Sequence, residues 1–496
     1  MAVTDGRSTF IVVRERTVGV LPLGVFGAPT IVDTSTYRRM VDQVRAWPLD
    51  YLLVECEPDT AFRVTAGLWG TAPVYLSDAG GRLRGSWSLP DLRDWFIVDA
   101  LDDAAVARLL TQRSRYTRRT LFKGVFELTE RAHATYGQDG LAMFYPEPAL
   151  RARPRDVRPG VDIIDVYRDC LADAVNERPF DPDQTAVELS GGMDSANVAM
   201  TLAEHHRGRI LAYALMIGGD AGEQQIRRRA EMLAHLGFDD MRIDMLPLAP
   251  LNPDGRRARG DYVHPTSEPY FEAVELMLHH ARQRGVRTVF TGDGGDELVS
   301  LRGAEWDAAN KIPGCHADQS TPSWLGPRTL AVDDIDDDHA PPSVINESTL
   351  LGFALRSPQF LDAGLWPVSP LCSPTLIRFA EQLPVEWRDR KHICRVRLGR
   401  AGLSKEVVHP PLRENMRHVM ERGLRKYGIP LLGTLMSDAV TVDLGYVDGD
   451  ALRDAHRRMS DGGPIETKLF AVLALEMALR ALDSTRHTER EAALCT

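Results

Sequence analysis

From Thr9 to about Phe144 the apolar residues come in short, largely alternating runs: "TFIVVRERTVGVL", "YLLVECE", "AFRVTAGLWGTAPVYLS" and "HATYGQDGLAMFY". Alternation of this kind predicts strands with one face turned to a core. Turn formers separate the runs, as in Asp78-Ala79-Gly80-Gly81 and Gly137-Gln138-Asp139-Gly140. Hairpins in a largely antiparallel region are therefore expected. Between them "DDAAVARLLTQRS" has the spacing of a helix. Next comes "YPEPALRARPRDVRPG", rich in Pro and Arg and without apolar periodicity. A first domain is expected over 1–150 and a linker over 151–160.

Beyond the linker the rhythm changes. "TAVELS", "RILAYALMIG", "MRIDML" and "VRTVFTGDGG" read as buried strands, and "SANVAMTLAEHH", "EQQIRRRAEMLAHLG" and "EPYFEAVELMLHHARQRG" as the helices between them. Such a βαβα series predicts an α/β fold: a doubly wound parallel sheet with helices on both faces and ligands at the carboxyl ends of its strands. Helical patterns return after Asn346 and run to "IETKLFAVLALEMALRAL". The second domain is placed over 161–485, with a helical C-terminal part and a frayed tail over 486–496. Between Val299 and Ser343 periodic signals are few, and the acidic run Asp333 to Asp338 reads as a solvated loop rather than a metal site, since contiguous like charges repel.

Composition adjusts this picture only slightly. A chain of 496 residues with 44% hydrophobic residues and 26% charged residues is a soluble, multidomain globular protein. A formal charge of -11 argues against a long nucleic acid as partner. The six cysteines are scattered without a CxxC pair, so free thiols in a reducing cytoplasm are expected. The chain shows neither a secretory signal nor an uninterrupted apolar run long enough for a membrane helix. The pairs His205-His206 and His279-His280 read as solvated helix surface, because adjacent residues do not share a helix face.

The chemistry is concentrated in two glycine-rich blocks. After the strand "AVEL" comes Ser190-Gly191-Gly192-Met193-Asp194-Ser195, and a helix follows. Consecutive backbone N–H groups and a helix N-terminus aimed at one spot make an anion site, most naturally for phosphate. The pattern is neither the GxxxxGK[ST] P-loop nor the dinucleotide GxGxxG turn. Hydroxyls of Ser190 and Ser195 can donate to phosphate oxygens, whereas Asp194 beside phosphates makes sense chiefly through Mg²⁺. The alternative is a plain helix N-cap. The second block, Gly292-Asp293-Gly294-Gly295-Asp296-Glu297, also ends a strand. Two such blocks in one sheet would face each other, with Asp194 and Asp296 sharing a Mg²⁺.

"LSGGMDSA" and "TGDGGDELVS" resemble the nucleotide-binding motifs of the asparagine-synthetase-like enzymes, a branch of the PP-loop ATP pyrophosphatases. "SPLCSPTLIRFAEQLPVEWRDRKHICRVRLGRAGLSKEVVHPP" is similar to a later stretch of that family. "GLWGTAPVYLS" and "TLFKGVFELTERAHATYGQDG" resemble its N-terminal domain. The resemblance implies a degenerate Ntn-hydrolase-like antiparallel domain ahead of the synthetase domain. It also implies ATP and Mg²⁺ as cofactors, activation of a carboxylate as an acyl-adenylate, and attack by an amine. Ser190, Gly191, Gly192, Asp194 and Ser195 would hold the pyrophosphate. Leu189 and Met216 would seat the nucleoside, with Gly292 and Asp293 near the ribose or α-phosphate. Asp194 and Asp296 would bind Mg²⁺, and Lys391 would act with Asp296 in catalysis. Glu223 matches an acidic position after the second strand.

The family's glutaminase uses a Cys directly after the initiator Met, where this chain has Ala2. The resemblance is thus to members without glutaminase, such as the lasso peptide cyclases (macrolactam synthetases) and the β-lactam synthetases. The latter use a Tyr–Glu pair as base, yet no tyrosine occurs between Tyr270 and Tyr427. Glu305, Glu347 or His316 would serve instead. "PLCS" replaces the family's PFLD, and Ser373 is expected to cap the next helix. The expected substrate is a peptide closed into a macrolactam, with a leader peptidase and a leader-binding protein as partners. The alternatives are a small carboxylic acid and a non-catalytic nucleotide-binding subunit. A folded peptide would need a wide cavity beneath the Val299 to Ser343 loop, a small acid a closed one.

Overall fold

A computed structural model describes residues 1–15, 28–57, 62–113, 116–301, 305, 321–332 and 338–494, the last eleven by their backbone alone. Ten strands form the first part: β1 (Ala2–Thr4), β2 (Thr9–Arg14), β3 (Thr30–Ile31), β4 (Tyr51–Cys56), β5 (Phe62–Ala66), β6 (Tyr75–Ala79), β7 (Arg82–Ser86), β8 (Val125–Glu127), β9 (His133–Gly137) and β10 (Gly140–Phe144). A seven-stranded sheet runs β10-β9-β5-β4-β2-β1-β3, and a three-stranded one runs β7-β6-β8. Pairing is antiparallel throughout except between β1 and β3. Consecutive Leu52 and Leu53 are both buried, so both faces of β4 are covered. Leu53 packs with Tyr37, Val41 and Val44 of the helix Thr34–Arg45, and Leu52 with Leu76 of the smaller sheet and Val74 just before it.

The second part is built on β11 (Thr185–Glu188), β12 (Leu211–Met216), β13 (Asp239–Asp244), β14 (Thr288–Phe290) and β15 (Trp366–Val368). They form a parallel sheet in the order β13-β12-β11-β14-β15. Ala186 and Val187 are both fully buried, as expected of a strand covered on two faces. Ala186 meets Ala273, Val274 and Met277 of the helix Phe271–Gln283 in one core. Val187 joins the core of the helices Ile163–Asn176 and Met193–His206 on the other face. The chain leaves β11 toward β12 on one side and reaches β14 on the other. The crevice at the carboxyl ends of β11 and β14 is therefore the topological switch point of the sheet.

Several expectations are adjusted. The run "AFRVTAGLWGTAPVYLS" is two strands, β5 and β6, broken where Gly67 packs against Asp50 and Tyr51 too closely for any side chain. β15 has no apolar alternation to announce it, being three residues long with Pro367 at its centre. Proline is tolerated there because β15 is an edge strand, paired only with β14. The last helix runs from Leu469 to Leu494, beyond the point where fraying was expected, through Glu, Arg and Ala residues of good helix propensity. Asp338 is not solvated. It pairs with Arg118 at 3.2 Å and Arg119 at 2.9 Å, which offset its burial, while Asp333 to Asp337 lie outside the described residues. Among the described residues no helix is long and apolar enough to cross a membrane.

Candidate active site

Leaving β11, the chain turns at Gly191, whose φ of +98° is a left-handed conformation that favours glycine. Ser190 Oγ accepts from the Gly192 N–H at 3.2 Å, and Ser195 Oγ accepts from the Ser190 N–H at 3.3 Å and donates to the Gly192 carbonyl at 3.2 Å. Gly192 stands at the N-cap of the helix Met193–His206 without a side-chain cap, so the first-turn N–H groups stay available. Gln225 braces the loop: its Nε2 donates to the carbonyls of Ser190 at 2.8 Å and Leu215 at 3.0 Å, and its Oε1 accepts from the Ile217 N–H.

The second glycine block locks against the first. A Cβ on Gly295 would run into the Asp194 side chain, and one on Gly294 into Cys372. Only glycine lets the two loops approach this closely. The contact brings Asp194 and Asp296 to opposite sides of Lys391. Its Nζ lies 2.5 Å from Asp194 Oδ2 and 2.7 Å from Asp296 Oδ1. Burial lifts the Asp194 carboxyl to about 6, with Lys391 pulling the other way. Burial also works against the Lys391 ammonium, but the two carboxylates outweigh it and hold its pKa above the ordinary lysine value.

The backbone that delivers this lysine is strained. Arg390 and Lys391 are both left-handed, with φ of 49° and 58°, each at a cost of about 1–3 kcal/mol for a residue with a side chain. Clamps on either side hold it. Arg388 forms a fork with Glu305 at 2.5 and 3.0 Å and donates to the carbonyls of Leu383 and Ser300. Arg397 donates to Asn197 O, Thr201 Oγ1 and Glu204 on the helix Met193–His206. The stretch "DRKHICR" is thus a lysine on a strained turn between two arginine anchors.

A cavity of about 320 Å³ opens over the ends of β11, β12 and β14. Its apolar side is made by Ala214, Leu215, Ile217, Val274 and Met277, and its loop side by Ser190, Gly192, Asp194, Ser195 and Gly292. Asp293 also lines it. Leu189 and Met216 do not: both are buried, and the pleat turns Leu189 into the core it shares with Val187. Glu223 is exposed on its helix, away from the cavity lining, where Gln225 makes the contacts. Ser373 does hold the N-cap position of the helix Pro374–Gln382, but its side chain makes no capping hydrogen bond; the backbone carbonyl alone serves Ile377.

Of the expected bases, Glu305 is committed to Arg388, Glu347 is exposed at a helix start, and His316 lies outside the described residues. A different group emerges at the cavity floor. Arg356 lies 2.6 Å from Glu188, 3.2 Å from Asp293 and 3.8 Å from Glu268, and Tyr213 donates to Glu188 at 3.3 Å. One guanidinium serves three carboxylates, and burial raises the Glu188 carboxyl against the pull of Arg356. The sequence did carry a signal for this: Glu188 is the one charge in "TAVEL", and it must find a cation if that strand is buried.

A Mg²⁺ fits these residues. Asp194 Oδ1 is buried and has no hydrogen-bond partner among the described residues, and Asp296, 80% exposed, faces it across Lys391. No group of three or more His, Cys, Asp or Glu occurs there among the described residues. Two carboxylates and no protein cage is the donor set of a Mg²⁺ that keeps waters and takes phosphate oxygens.

An uncapped helix N-terminus, apposed glycine loops and a half-buried lysine meet at the sheet's switch point, the features of a phosphate-binding site in an α/β protein. Residues 166–338 match the family model described as asparagine synthase. This domain points to a ligase that forms amide bonds using ATP. Neither Lys391 nor the antiparallel part lies in the matched span. No curated protein matches the chain.

Proposed function

We propose that the protein is an AMP-forming amide synthetase that activates a carboxylate with MgATP and joins it to an amine without hydrolysing glutamine. The observation that carries this reading is the Lys391 ammonium held between Asp194 and Asp296 where the two glycine loops meet. The helix N-terminus and Ser190 and Ser195 bind the β- and γ-phosphates, and the apolar side of the cavity takes the base. Asp194 and Asp296 would hold a Mg²⁺, which when bound would supply neutralisation of phosphate charge. A substrate carboxylate oxygen attacks the α-phosphorus, the bond to pyrophosphate breaks, and Lys391 stabilises the negative charge that develops there. The amine then attacks the acyl carbon, the C–N bond forms, and AMP leaves with the electron pair of the C–O bond. Asp293, at the junction of the loop and the Arg356 cluster, takes the amine proton.

The substrate we propose is a peptide whose own N-terminal amine attacks an Asp or Glu side chain, which closes a macrolactam. A peptidase that frees this amine and a leader-binding protein that presents the precursor would be its partners. The test is pyrophosphate and AMP release with MgATP across leaderless peptides and small amino acids, with mass spectrometry for loss of water. A dehydrated peptide supports the macrolactam reading. Turnover confined to a small acid replaces the substrate but keeps the chemistry. Nucleotide binding with no turnover, or glutamate release from glutamine, overturns the proposal.

A further inference from the structure

Residues 409–416 join the helices Lys405–Val408 and Arg417–Gly423, and the last three of them, Glu414, Asn415 and Met416, form one wall of the nucleotide cavity. This wall is sewn to the helix Gly219–Leu236. Gln224, fully buried, accepts from the Leu412 N–H at 2.9 Å and donates to the Leu412 carbonyl at 3.0 Å and to Glu414 Oε1 at 2.7 Å. Arg228, also buried, pairs with Glu414 Oε2 at 2.7 Å and donates to the Val407 carbonyl at 3.0 Å. Between them in sequence, Gln225 holds the Ser190 carbonyl. One helix thus fixes both the phosphate loop and the wall beside it.

The arrangement sets a carboxylate against the phosphate loop. A Cβ on Gly191 would meet Glu414 Oε2 first, at 3.2 Å, and Glu414 shares the cavity lining with Ser190, Gly192 and Ser195. Arg228 is not part of that lining and stands behind Glu414. The ion pair therefore turns its negative end toward the place where phosphate oxygens would bind. A neutral side chain would be enough to tether the wall to Gln224. A carboxylate does more: it opposes the pull of the helix N-terminus and Lys391 on an anion, because like charges close together at a partly buried site repel more strongly than in bulk water.

We propose that Glu414 limits the affinity of the phosphate loop for polyphosphate, so that pyrophosphate leaves once the substrate carboxylate has been activated. The inference rests on the reading of the loop as a pyrophosphate site. Ser190, Ser195 and the first-turn N–H groups hold the anion, and Glu414 sets the strength of that hold. Arg228 acts through Glu414, orienting the carboxylate and offsetting part of its charge.

The test is a charge series read with two probes, pyrophosphate and adenosine, each titrated into the full chain by calorimetry in buffer containing Mg²⁺. Glu414→Gln keeps the size of the side chain and the acceptor for Gln224 but removes the charge, so pyrophosphate should bind about tenfold more tightly. Arg228→Gln leaves the carboxylate uncompensated and should weaken pyrophosphate about tenfold. Combining Glu414→Gln with Arg228→Met strands no charge, which protects folding. This double variant should fall between wild type and Glu414→Gln, since the charge nearer the anion is the negative one. Adenosine, which is uncharged, should bind all four proteins alike. A wall that matters only for its shape would give variants that bind both probes more weakly. That pattern, or a double variant no tighter than wild type for pyrophosphate, overturns the role of Glu414 and leaves the nucleotide reading standing. Wild-type protein that binds neither pyrophosphate nor ATP overturns both.

Discussion

A methyl group on Gly292 would stand 2.7 Å from the backbone nitrogen of Ser195 and 3.0 Å from its Cα. The two loops therefore touch backbone to backbone, and their register is set by the lack of a side chain. Gly292→Ala must push the second loop away from the first. We expect a loss of about 1–3 kcal/mol in unfolding free energy, together with loss of nucleotide binding. Chemical denaturation and calorimetry with ATP check both. Gly352 is the control: it is helical and a Cβ there meets nothing within 4 Å. Gly352→Ala should stabilise the chain by about 0.5–1 kcal/mol without touching ATP affinity.

Lys391→Ala removes the charge that faces the α-phosphorus in the proposed reaction. Pyrophosphate release should fall by roughly 10²–10³-fold, while ATP affinity changes far less. Single-turnover assays alongside equilibrium binding separate the two. An unchanged rate would take Lys391 out of the transition state.

Arg356→Met strands Glu188, Asp293 and Glu268 around a neutral side chain. Removing one partner of a buried ion cluster costs about 3–5 kcal/mol. Adding Glu188→Gln should recover part of that loss, because one of the stranded charges is gone. Denaturant midpoints of the single and double variants give the coupling directly.

Glu127 supplies a pH signature. Its carboxyl titrates near 7 in the folded chain, raised from 4.5 by burial. A raised folded pKa means that the native state binds the proton more tightly, so stability is full below the unfolded pKa and is lost as pH rises through about 7. Arg108, Arg119, Tyr116 and His264 border the adjoining cavity, and Tyr75 and Tyr262 lie beside Glu127. Glu127 faces a cavity that can hold water, which limits the effect to about 1–3 kcal/mol. Glu127→Gln should therefore be more stable than wild type at pH 8 and no more stable at pH 5. Thermal unfolding at the two values decides it.

The parallel sheet and its glycine turns were legible because their signals are local: a buried strand, a tight turn, a helix start. The facing of Asp194 and Asp296 followed from two glycine blocks that end strands of one sheet, whereas Lys391 came from resemblance, since no local pattern joins it to positions so far away in the chain. Glu188, Asp293 and Arg356 show the same difficulty. An acid in a buried strand announces that a partner exists, but its identity depends on how the helix Glu347–Asp362 crosses the sheet. Leu189 falls on the wrong side of the pleat for the cavity, a distinction of one residue that motif matching does not resolve, and Met216 is buried outside the cavity lining. β15 was missed because three residues around a proline have no period to read.

The ion pair between Asp194 and Lys391 spans 197 positions. During synthesis the phosphate loop therefore emerges from the ribosome long before the cation that completes it. Until then Asp194 has no Lys391 ammonium to pair with. The Arg388 and Arg397 anchors must also form before the lysine turn can hold its shape. The candidate site can thus be completed only after Lys391 has been synthesised, and a chain arrested upstream of it would have both glycine loops without the ammonium that bridges their carboxylates.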